Sequence, residues 1–324
     1  MTTEKLDPDA YVEAHRETLD SLADPELRAV VERIGRTIAK NGQEPPARQS
    51  EPSHQAPVQA IQFPLFPEET RPVTNDVARS ALFSCVQGKD RRMLEDTLIV
   101  AVNGVEIRFT GRQFNQDDHD LLMQLVFMAK HKPLGEYVTI PARAILKGLG
   151  RGTGGKDHEQ LRADITRLVA GTVSLSNSRA EYIGHLVDYA GQDKASRYWI
   201  YQFNPKLRAL YDPSMYTLVE WEQRKKLRGK DLARWLHLNI VSHAAMLPYS
   251  VAKLHELSGS QTSALWKFRQ LLRNALNNLV AEGVIEAWEI DDNDLVHIHR
   301  GKAISDSQRR HLTGKPSTKR KPKP

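Results

Sequence analysis

The segment that begins at Ser250 follows an order of elements that few folds share. The side-chain oxygen of Ser250 can accept a hydrogen bond from an unpaired backbone amide, so it is predicted to cap a short helix over Val251–Leu257. Ser258-Gly259-Ser260 then makes a turn, and Thr262–Ala281 is predicted to be a long helix closed by Gly283. Two strands follow around an acidic turn: Ile285–Ile290 and Leu295–His299. This is the order of a winged helix-turn-helix.

The same order is predicted once more, earlier in the chain, without strong sequence identity between the two segments. A short helix over Ala142–Leu149 leads into the glycine-rich turn Gly150–Gly155, and a longer helix follows over Lys156–Ala170. The strands expected after it are Thr172–Leu175, Tyr182–Tyr189 and Arg197–Phe203. The duplication indicates two modules of one kind rather than a single larger domain.

Upstream of this segment, Asn103-Gly104 lies between two alternating runs and predicts a β-hairpin. A helix is expected over Asp117–Lys130 and a short one over Asp76–Ser84, with ordered structure beginning near Asn75. We therefore predict an α+β fold of two tandem winged helix-turn-helix domains, at 71–205 and 206–302. The remaining segments are a largely disordered, flexible N-terminal region at 1–70 and a disordered basic tail at 303–324.

Charge is distributed unevenly over the 324 residues. Residues 1–60 carry 7 basic and 11 acidic side chains, so the rest of the chain carries 39 basic and 29 acidic ones, a net charge of +10. This excess of positive charge favours a polyanionic partner, most commonly nucleic acid. A high pI alone does not establish such a partner. The single cysteine, Cys85, excludes an intrachain disulfide. No transmembrane stretch or signal peptide is evident, so a cytoplasmic protein is expected.

The long helix of the second module is predicted to present one face to DNA. An apolar stripe with helical spacing is expected to face the core: Leu265, Phe268, Leu272, Leu276 and Leu279. The residues expected to contact DNA lie on the opposite face and just before the helix: Ser260, Gln261, Thr262, Ser263, Trp266, Lys267, Gln270, Arg273 and Asn274. Side chains of these types bind phosphates and base edges, whereas the alternative is an ordinary solvated face.

The long helix of the first module carries a weaker signal. Leu161, Ile165 and Leu168 are expected to face inward. The DNA-binding candidates are Gly155, Lys156, Arg162 and Arg167, and the glycine-rich turn before them could bring backbone amides close to a phosphate.

Two motifs that resemble enzyme sites are better explained without catalysis. Residues 150–157 match the spacing of a nucleotide-binding P-loop, but Asp157 stands where that motif needs Ser or Thr, and a helix precedes it instead of a strand. His297-Ile298-His299 is like the metal-binding pair of rolling-circle nucleases, but no tyrosine follows Tyr249. No cofactor, metal or catalytic residue is therefore expected.

Several segments, in order, resemble the TrfA family of plasmid replication initiators over roughly residues 61–300. They are Asn75–Phe83, Pro133–Glu136, Ser258–Ser260 and Asp294–His297. The resemblance implies two winged helices that bind direct repeats (iterons) at a plasmid origin, help to open the neighbouring duplex and recruit host replication proteins. The implied partners are double-stranded repeats, single-stranded origin DNA, the host initiator and replicative helicase, and a second copy of the chain in a monomer–dimer equilibrium.

The family also carries a short motif that binds the bacterial sliding clamp. Gln62, Leu65 and Phe66 match it, Phe63 keeps its apolar character, and Pro64 departs from it. An apolar island between polar, Pro-rich flanks fits a segment that a partner buries, but it also fits an edge strand added to the first domain. A winged-helix transcriptional or partition regulator is the alternative function, and it has no need of a clamp ligand.

Overall fold

The computed structural model describes residues 61–300 apart from 103, 180, 213 and 245–247, together with Ala29, Glu32, Arg33 and Arg36. Apart from those four residues, positions 1–60 of the predicted flexible N-terminal region lie outside the described residues, and so does the basic tail predicted at 303–324.

Helices and mainly antiparallel strands alternate along the described residues, in agreement with the predicted α+β class. The helices are α1 (Asn75–Ala78), α2 (Gln116–Met128), α3 (Ala142–Gly148), α4 (Gly155–Ala170), α5 (Trp221–Lys226), α6 (Asp231–Ser242), α7 (Val251–Leu257) and α8 (Leu265–Ala281). The strands are β1 (Thr70–Thr74), β2 (Phe83–Ser84), β3 (Met93–Ile99), β4 (Val105–Arg112), β5 (Phe114–Asn115), β6 (Val138–Pro141), β7 (Thr172–Asn177), β8 (Glu181–His185), β9 (Tyr189–Gln192), β10 (Tyr198–Gln202), β11 (Tyr216–Glu220), β12 (Tyr249–Ser250), β13 (Ala287–Ile290) and β14 (Leu295–His299).

The chain divides into two compact units that alternate along the sequence. Unit 1 comprises residues up to Pro64, Gln124–Ala170 and His185–Arg208. Unit 2 comprises Leu65–Met123, Gly171–Gly184 and the residues from Ala209 onward. The boundaries expected from the sequence, 71–205 and 206–302, stay predictions.

Unit 1 contains α3 and α4 and an antiparallel sheet of order β6-β10-β9. Leu161, Ile165 and Leu168 of α4 are buried, as their spacing predicts. The strand expected over Tyr182–Tyr189 is wrong as a single element, because β8 ends at His185 and the next strand begins at Tyr189. The two strands then join different sheets, β8 beside β7 and β9 beside β10.

The second predicted module lies entirely within unit 2. It contains helices α6, α7 and α8 and a sheet of order β12-β14-β13. Strand β12 lies between α6 and α7, and the β13–β14 hairpin follows α8 and turns at Asp291–Asp294 as predicted. The apolar side chains buried between these elements are Leu236, Val251, Leu254, Leu257, Phe268, Leu272, Leu276, Leu279, Ile285 and Val296. Burying a side chain of this size contributes about 1.5–3 kcal/mol, so this cluster is the main stabilising core of the module.

Unit 2 also holds a sheet of order β3-β4-β7-β8. The hairpin between β3 and β4 turns at Gly104, whose φ of +84° is a conformation that glycine adopts without steric cost, as the Asn-Gly signal predicts. The helix expected over Asp76–Ser84 is wrong in length, because it ends at Ala78. Phe83 and Ser84 instead pair with β5.

A buried ionic cluster joins three helices of unit 2. Asp120 of α2 accepts hydrogen bonds from Arg224 of α5 (2.7 Å) and from Arg234 of α6 (2.6 Å). Burial alone would raise the pKa of Asp120, but the two guanidinium groups outweigh it and hold the pKa below its usual value. His119 and His237 are fully buried in the same unit, and the Nδ1 atom of each has no hydrogen-bond partner among the described residues.

Packed side chains occur before the position near Asn75 at which the sequence predicts ordered structure to begin. Phe63, 1% exposed, packs edge-on against Phe203 in unit 1 at a centroid distance of 5.4 Å. Phe66, 3% exposed, packs in the same way against Tyr216 in unit 2 at 5.5 Å. Gln62 forms an antiparallel bridge with Pro133, as an added edge segment would. The expectation of a flexible segment is therefore wrong for residues 61–70.

Candidate nucleic-acid interface

The exposed face of α8 carries five of the nine DNA-binding residues predicted in the second module. Trp266 is 61% exposed, and four more side chains on this face are open to solvent: Lys267, Gln270, Arg273 and Asn274. At 100° per residue, Gln270 is opposite the buried stripe and Trp266 lies one turn before it. The helix contains three cationic residues and no acidic one, so its surface attracts a polyanion.

One of these three cations is already paired. Arg269 donates two hydrogen bonds to the carboxylate of Asp294 in the β13–β14 turn, at 2.9 and 2.8 Å. This pair ties α8 to the ribbon that follows it. Lys267 and Arg273 remain the two cations of α8 that face outward.

The start of α8 differs from the sequence prediction in two ways. The helix begins at Leu265 rather than Thr262, with Ala264 as its N-cap residue. Leu265, expected in the core, is 38% exposed, and Ala275 takes a buried place in the stripe instead. The stripe prediction is therefore correct for four of its five residues, and the error lies at the end where the core stops.

Residues 260–263, which precede the N-cap residue Ala264, form a polar turn rather than a first helical turn. Gln261 donates to the backbone oxygen of Asp90 (3.2 Å) and to the side chain of Gln113 (3.3 Å). Ser260 donates to Thr262 at 3.2 Å, and Ser263 is exposed. A groove runs beside this turn along α8, and Ser263, Lys267, Asn274, Lys230 and Asn278 contribute polar side chains to it.

Local contacts fix the start of α7 and the turn that follows this helix. Ser250 caps α7 as predicted, since its side chain accepts a hydrogen bond from the Lys253 amide at 3.1 Å. Gly259 has a φ of +62°, and a Cβ atom there would lie 2.7 Å from the Cβ of Ser84. Only glycine fits both the backbone conformation and this close approach. The direction in which α8 leaves the turn is therefore set by local packing.

The predicted DNA-binding residues of α4 separate into two groups. Gly155, Lys156 and Arg162 are exposed. Arg167 instead pairs with Asp164, a fully buried carboxylate that also accepts a hydrogen bond from Arg151 at 2.6 Å. Arg151 therefore holds the glycine-rich turn against α4 through Asp164, while Arg167 pairs with the same carboxylate from within the helix. The contribution of Arg167 to DNA binding stays a prediction.

The two enzyme-like motifs also have local structural roles. Asp157 accepts a hydrogen bond from the Gly154 amide at 3.3 Å, so its carboxylate closes the turn where a P-loop would hold phosphate. The element before this turn is α3, as predicted, and not a strand. His297 pairs with Asp291 at 2.9 Å within the β13–β14 ribbon. Among the described residues no group of three His, Cys, Asp or Glu side chains could hold a metal ion.

A cationic cleft in unit 1 was not predicted from the sequence. It lies between the start of α3, the turn before α4 and the turn that joins β9 to β10. Arg143 and Arg197 both line it, but they are 54 positions apart and no sequence motif connects them. None of the helices within the described part of the chain is long and apolar enough to cross a membrane.

In this mixed α and β fold, α8 presents an acid-free face with side chains of the types that contact phosphates and base edges. The chain belongs to the TrfA family, whose model, described as TrfA protein, matches residues 54–300.

A curated relative and two kinds of solved structure are similar to the chain. It is 29% identical over 261 residues to the plasmid replication initiator protein TrfA of Escherichia coli, a match that covers 75% of this chain and 66% of the relative. The chain thus spans just under two thirds of that relative's length. A crystal structure of domains 2 and 3 of RctB gives a TM-score of 0.43 at 13% identity, over 66% of this chain and 91% of the other. Pi initiator protein in complex with iteron DNA gives 0.41 at 15%, over 63% and 95%.

Proposed function

We propose that this protein initiates plasmid replication by binding direct repeats at a plasmid origin through two winged helix-turn-helix modules. The observation that carries the proposal is the outward face of α8, which presents cationic and amide side chains, carries no carboxylate and sits on a helix whose direction is fixed by a rigid turn. Residues of these types, on a helix of this kind, recognise base edges in the major groove. Family membership supports the same function.

Both modules are assigned roles in this proposal. In unit 2, α7 and α8 form the helix-turn-helix and β13–β14 the wing. In unit 1, α3 and α4 form the helix-turn-helix and β9–β10 the wing. The protein bound to its repeats then aids opening of the neighbouring duplex and recruits the host initiator and helicase, and the chain exchanges between monomer and homodimer, as the family resemblance implies.

The sliding clamp is a further proposed partner, but its motif is not freely available. Phe63 and Phe66 are buried, while Leu65 is 70% exposed. Clamp binding at Gln62–Phe66 therefore requires that this segment first leave its packed position. The buried motif gives some support to the second candidate, a transcriptional or partition regulator, because that function needs no clamp ligand.

The proposed function is tested by combining repeat binding with duplex opening. The purified protein is expected to bind the direct repeats beside its gene more tightly than scrambled DNA. It is also expected to make thymines of an adjacent AT-rich segment reactive to permanganate in a supercoiled plasmid. Tight, specific binding without any opening, even with host initiator present, would favour the regulator.

Gln270→Ala and Arg273→Ala should each weaken binding to the repeats more than binding to scrambled DNA. A bidentate contact to a base is worth about 1–3 kcal/mol of discrimination, so a loss of roughly 5- to 150-fold in the specificity ratio is expected. The measurement is fluorescence anisotropy with both DNAs at one salt concentration. Val280→Ala, an exposed apolar position in the last turn of the same helix and outside this groove, is the matched control. Equal losses of affinity for both DNAs would assign Gln270 and Arg273 to phosphate contacts. No loss of affinity in either variant would show that α8 does not lie in the major groove of the DNA.

A further inference from the structure

The cleft in unit 1 has the composition of a phosphate site. The side chains that line it with cationic or hydrogen-bonding groups are Arg143, Thr153, His158, Ser196, Arg197 and Tyr198, and no carboxylate lines it. Guanidinium groups match the geometry of phosphate oxygens, and hydroxyl and imidazole groups complete such sites in DNA-binding proteins.

The two guanidinium groups of the cleft have no carboxylate partner within the described part of the chain. Neither Arg143 nor Arg197 makes an ion pair there, although both are exposed. The nearest carboxylates on the same turns are engaged elsewhere. Asp193 accepts hydrogen bonds from Ser196 (2.5 Å) and Arg33 (2.6 Å), and Asp157 accepts one from Gly154. The two guanidinium groups therefore keep an unbalanced positive charge at one place on the surface.

The backbone at Arg197 is held in a conformation that side chains other than glycine rarely adopt. Its φ is +59°, in the left-handed region. For a residue other than glycine, this conformation lowers the free energy of unfolding by about as much as the loss of one hydrogen bond. Two hydrogen bonds maintain it: the Arg197 amide donates to Asp193 (2.8 Å), and the Arg197 oxygen accepts from the Ala142 amide (3.0 Å). The second bond fixes Arg197 beside the residue that precedes Arg143.

A third group in the cleft also lacks a partner. The Nδ1 atom of His158 is buried and has no hydrogen-bond partner among the described residues. Buried polar atoms normally have a partner, so an atom without one marks a place where a ligand or water completes the structure. His158 lies in the first turns of α4, five residues after Thr153.

We propose that this cleft binds one phosphate group of the DNA backbone at the start of α4. The inference rests on the proposed function, because it makes the cleft the point that positions the first module on its repeat. The cleft lies where the turn before α4 meets the wing turn, and a phosphate held there sets the register of α4 without contacting a base. The shared chemistry is a tetrahedral phosphate, which a free inorganic phosphate ion could also supply.

The test removes the two guanidinium groups without disturbing the backbone. Arg143→Ala places a strong helix former on an exposed helical position, and Arg197→Gly keeps the left-handed conformation available. Lys194→Ala is the matched control, since Lys194 is an exposed cation on the same turn that does not line the cleft. Equal melting temperatures of the variants and the wild type check that the fold is retained.

The expected result is a change in the salt dependence of DNA binding. In a plot of log K against log salt, the double variant should lose about 0.9 from the magnitude of the slope, the value for one phosphate, and roughly tenfold in affinity. Lys194→Ala should leave the slope unchanged. A single uncharged methylphosphonate can be placed at each phosphate of the repeat in turn. At one position it should weaken binding of the wild type, and at that same position it should not weaken binding of the double variant.

Two results would overturn the inference. One is a double variant with the wild-type slope. The other is a free-ion site, in which inorganic phosphate shifts the NMR signal of the His158 ring while both variants bind DNA as the wild type does. Failure of the proposed function is distinguishable, because the slope is measurable on DNA of any sequence. The wild type could fail to prefer the repeats, while replacement of Arg143 and Arg197 still lowers the magnitude of the slope by about 0.9. That result would refute repeat recognition and support the cleft as a phosphate site.

Discussion

Phe63→Ala should lower the free energy of unfolding by about 3–5 kcal/mol and Phe66→Ala by a similar amount, whereas Leu65→Ala should leave it almost unchanged. The reason is burial: the two phenyl rings are 1% and 3% exposed and each packs edge-on against another aromatic ring, while Leu65 is 70% exposed. Urea denaturation followed by circular dichroism measures the three values. Leu65→Ala is the control for the segment, since it removes an apolar side chain from the same stretch of backbone.

The packing of Phe63 and Phe66 should also weaken binding of the whole chain to the sliding clamp. A free peptide spanning residues 58–70 is expected to bind the clamp more tightly than the whole chain does, because in the whole chain the two rings must first leave their packed positions. If the whole chain and the peptide bind equally well, and Phe63→Ala and Phe66→Ala are as stable as Leu65→Ala, the segment is not held against the body. That pair of outcomes would restore the freely available clamp ligand that the sequence suggests.

Between pH 7.5 and 5, the fully buried His119 and His237 should together cost unit 2 about 4 kcal/mol of stability. His243, whose pKa burial lowers to about 4, should add a further loss. Burial lowers the pKa of His119 and of His237 to about 3, and the positive charge of Arg224 acts in the same direction. In the unfolded chain both groups have a pKa of about 6.5. Between these values the unfolded state binds two protons that the folded state does not, so stability falls as the pH falls below 6.5. At pH 5 His119 and His237 each contribute about 2 kcal/mol of this loss.

The urea midpoint, measured at several pH values, tests this prediction. His237→Gln is expected to remove about 2 kcal/mol of the loss between pH 7.5 and 5, whatever it does to stability at pH 7.5. His299→Gln, which replaces an exposed histidine, is the matched control. A wild type equally stable at both pH values would show that these imidazoles are protonated in the folded state or are not buried. Asp120, whose pKa is lowered, adds to the loss only below about pH 4.

The amino-acid sequence by itself determined the local elements of the second module. The spacing of Phe268, Leu272, Leu276 and Leu279 fixed which face of α8 is buried. The reason is that side chains three or four residues apart lie on the same face of a helix. Ser250 identified the start of α7, because a cap acts within three residues. The polar face of α8 followed from the same periodicity.

Only the tertiary structure decided the features that depend on residues far apart in the chain. Strands β1 and β11 pair over about 145 positions, and no periodicity in either segment names its partner. Asp120 meets Arg224 and Arg234 more than 100 positions away, which is why these charges are buried instead of solvated. The burial of Phe63 and Phe66 depends likewise on Phe203 and Tyr216, so an apolar stretch that looks free in the sequence is held in the fold.

The same limit explains the cleft of unit 1 and the error at Leu265. Arg143 and Arg197 become neighbours only because the turn before β10 folds back onto the start of α3, and the left-handed backbone of Arg197 is imposed by that contact. Leu265 keeps the spacing of the stripe, but the core ends before it. Periodicity specifies the direction of a side chain from its own helix, whereas burial depends on whether another element covers it.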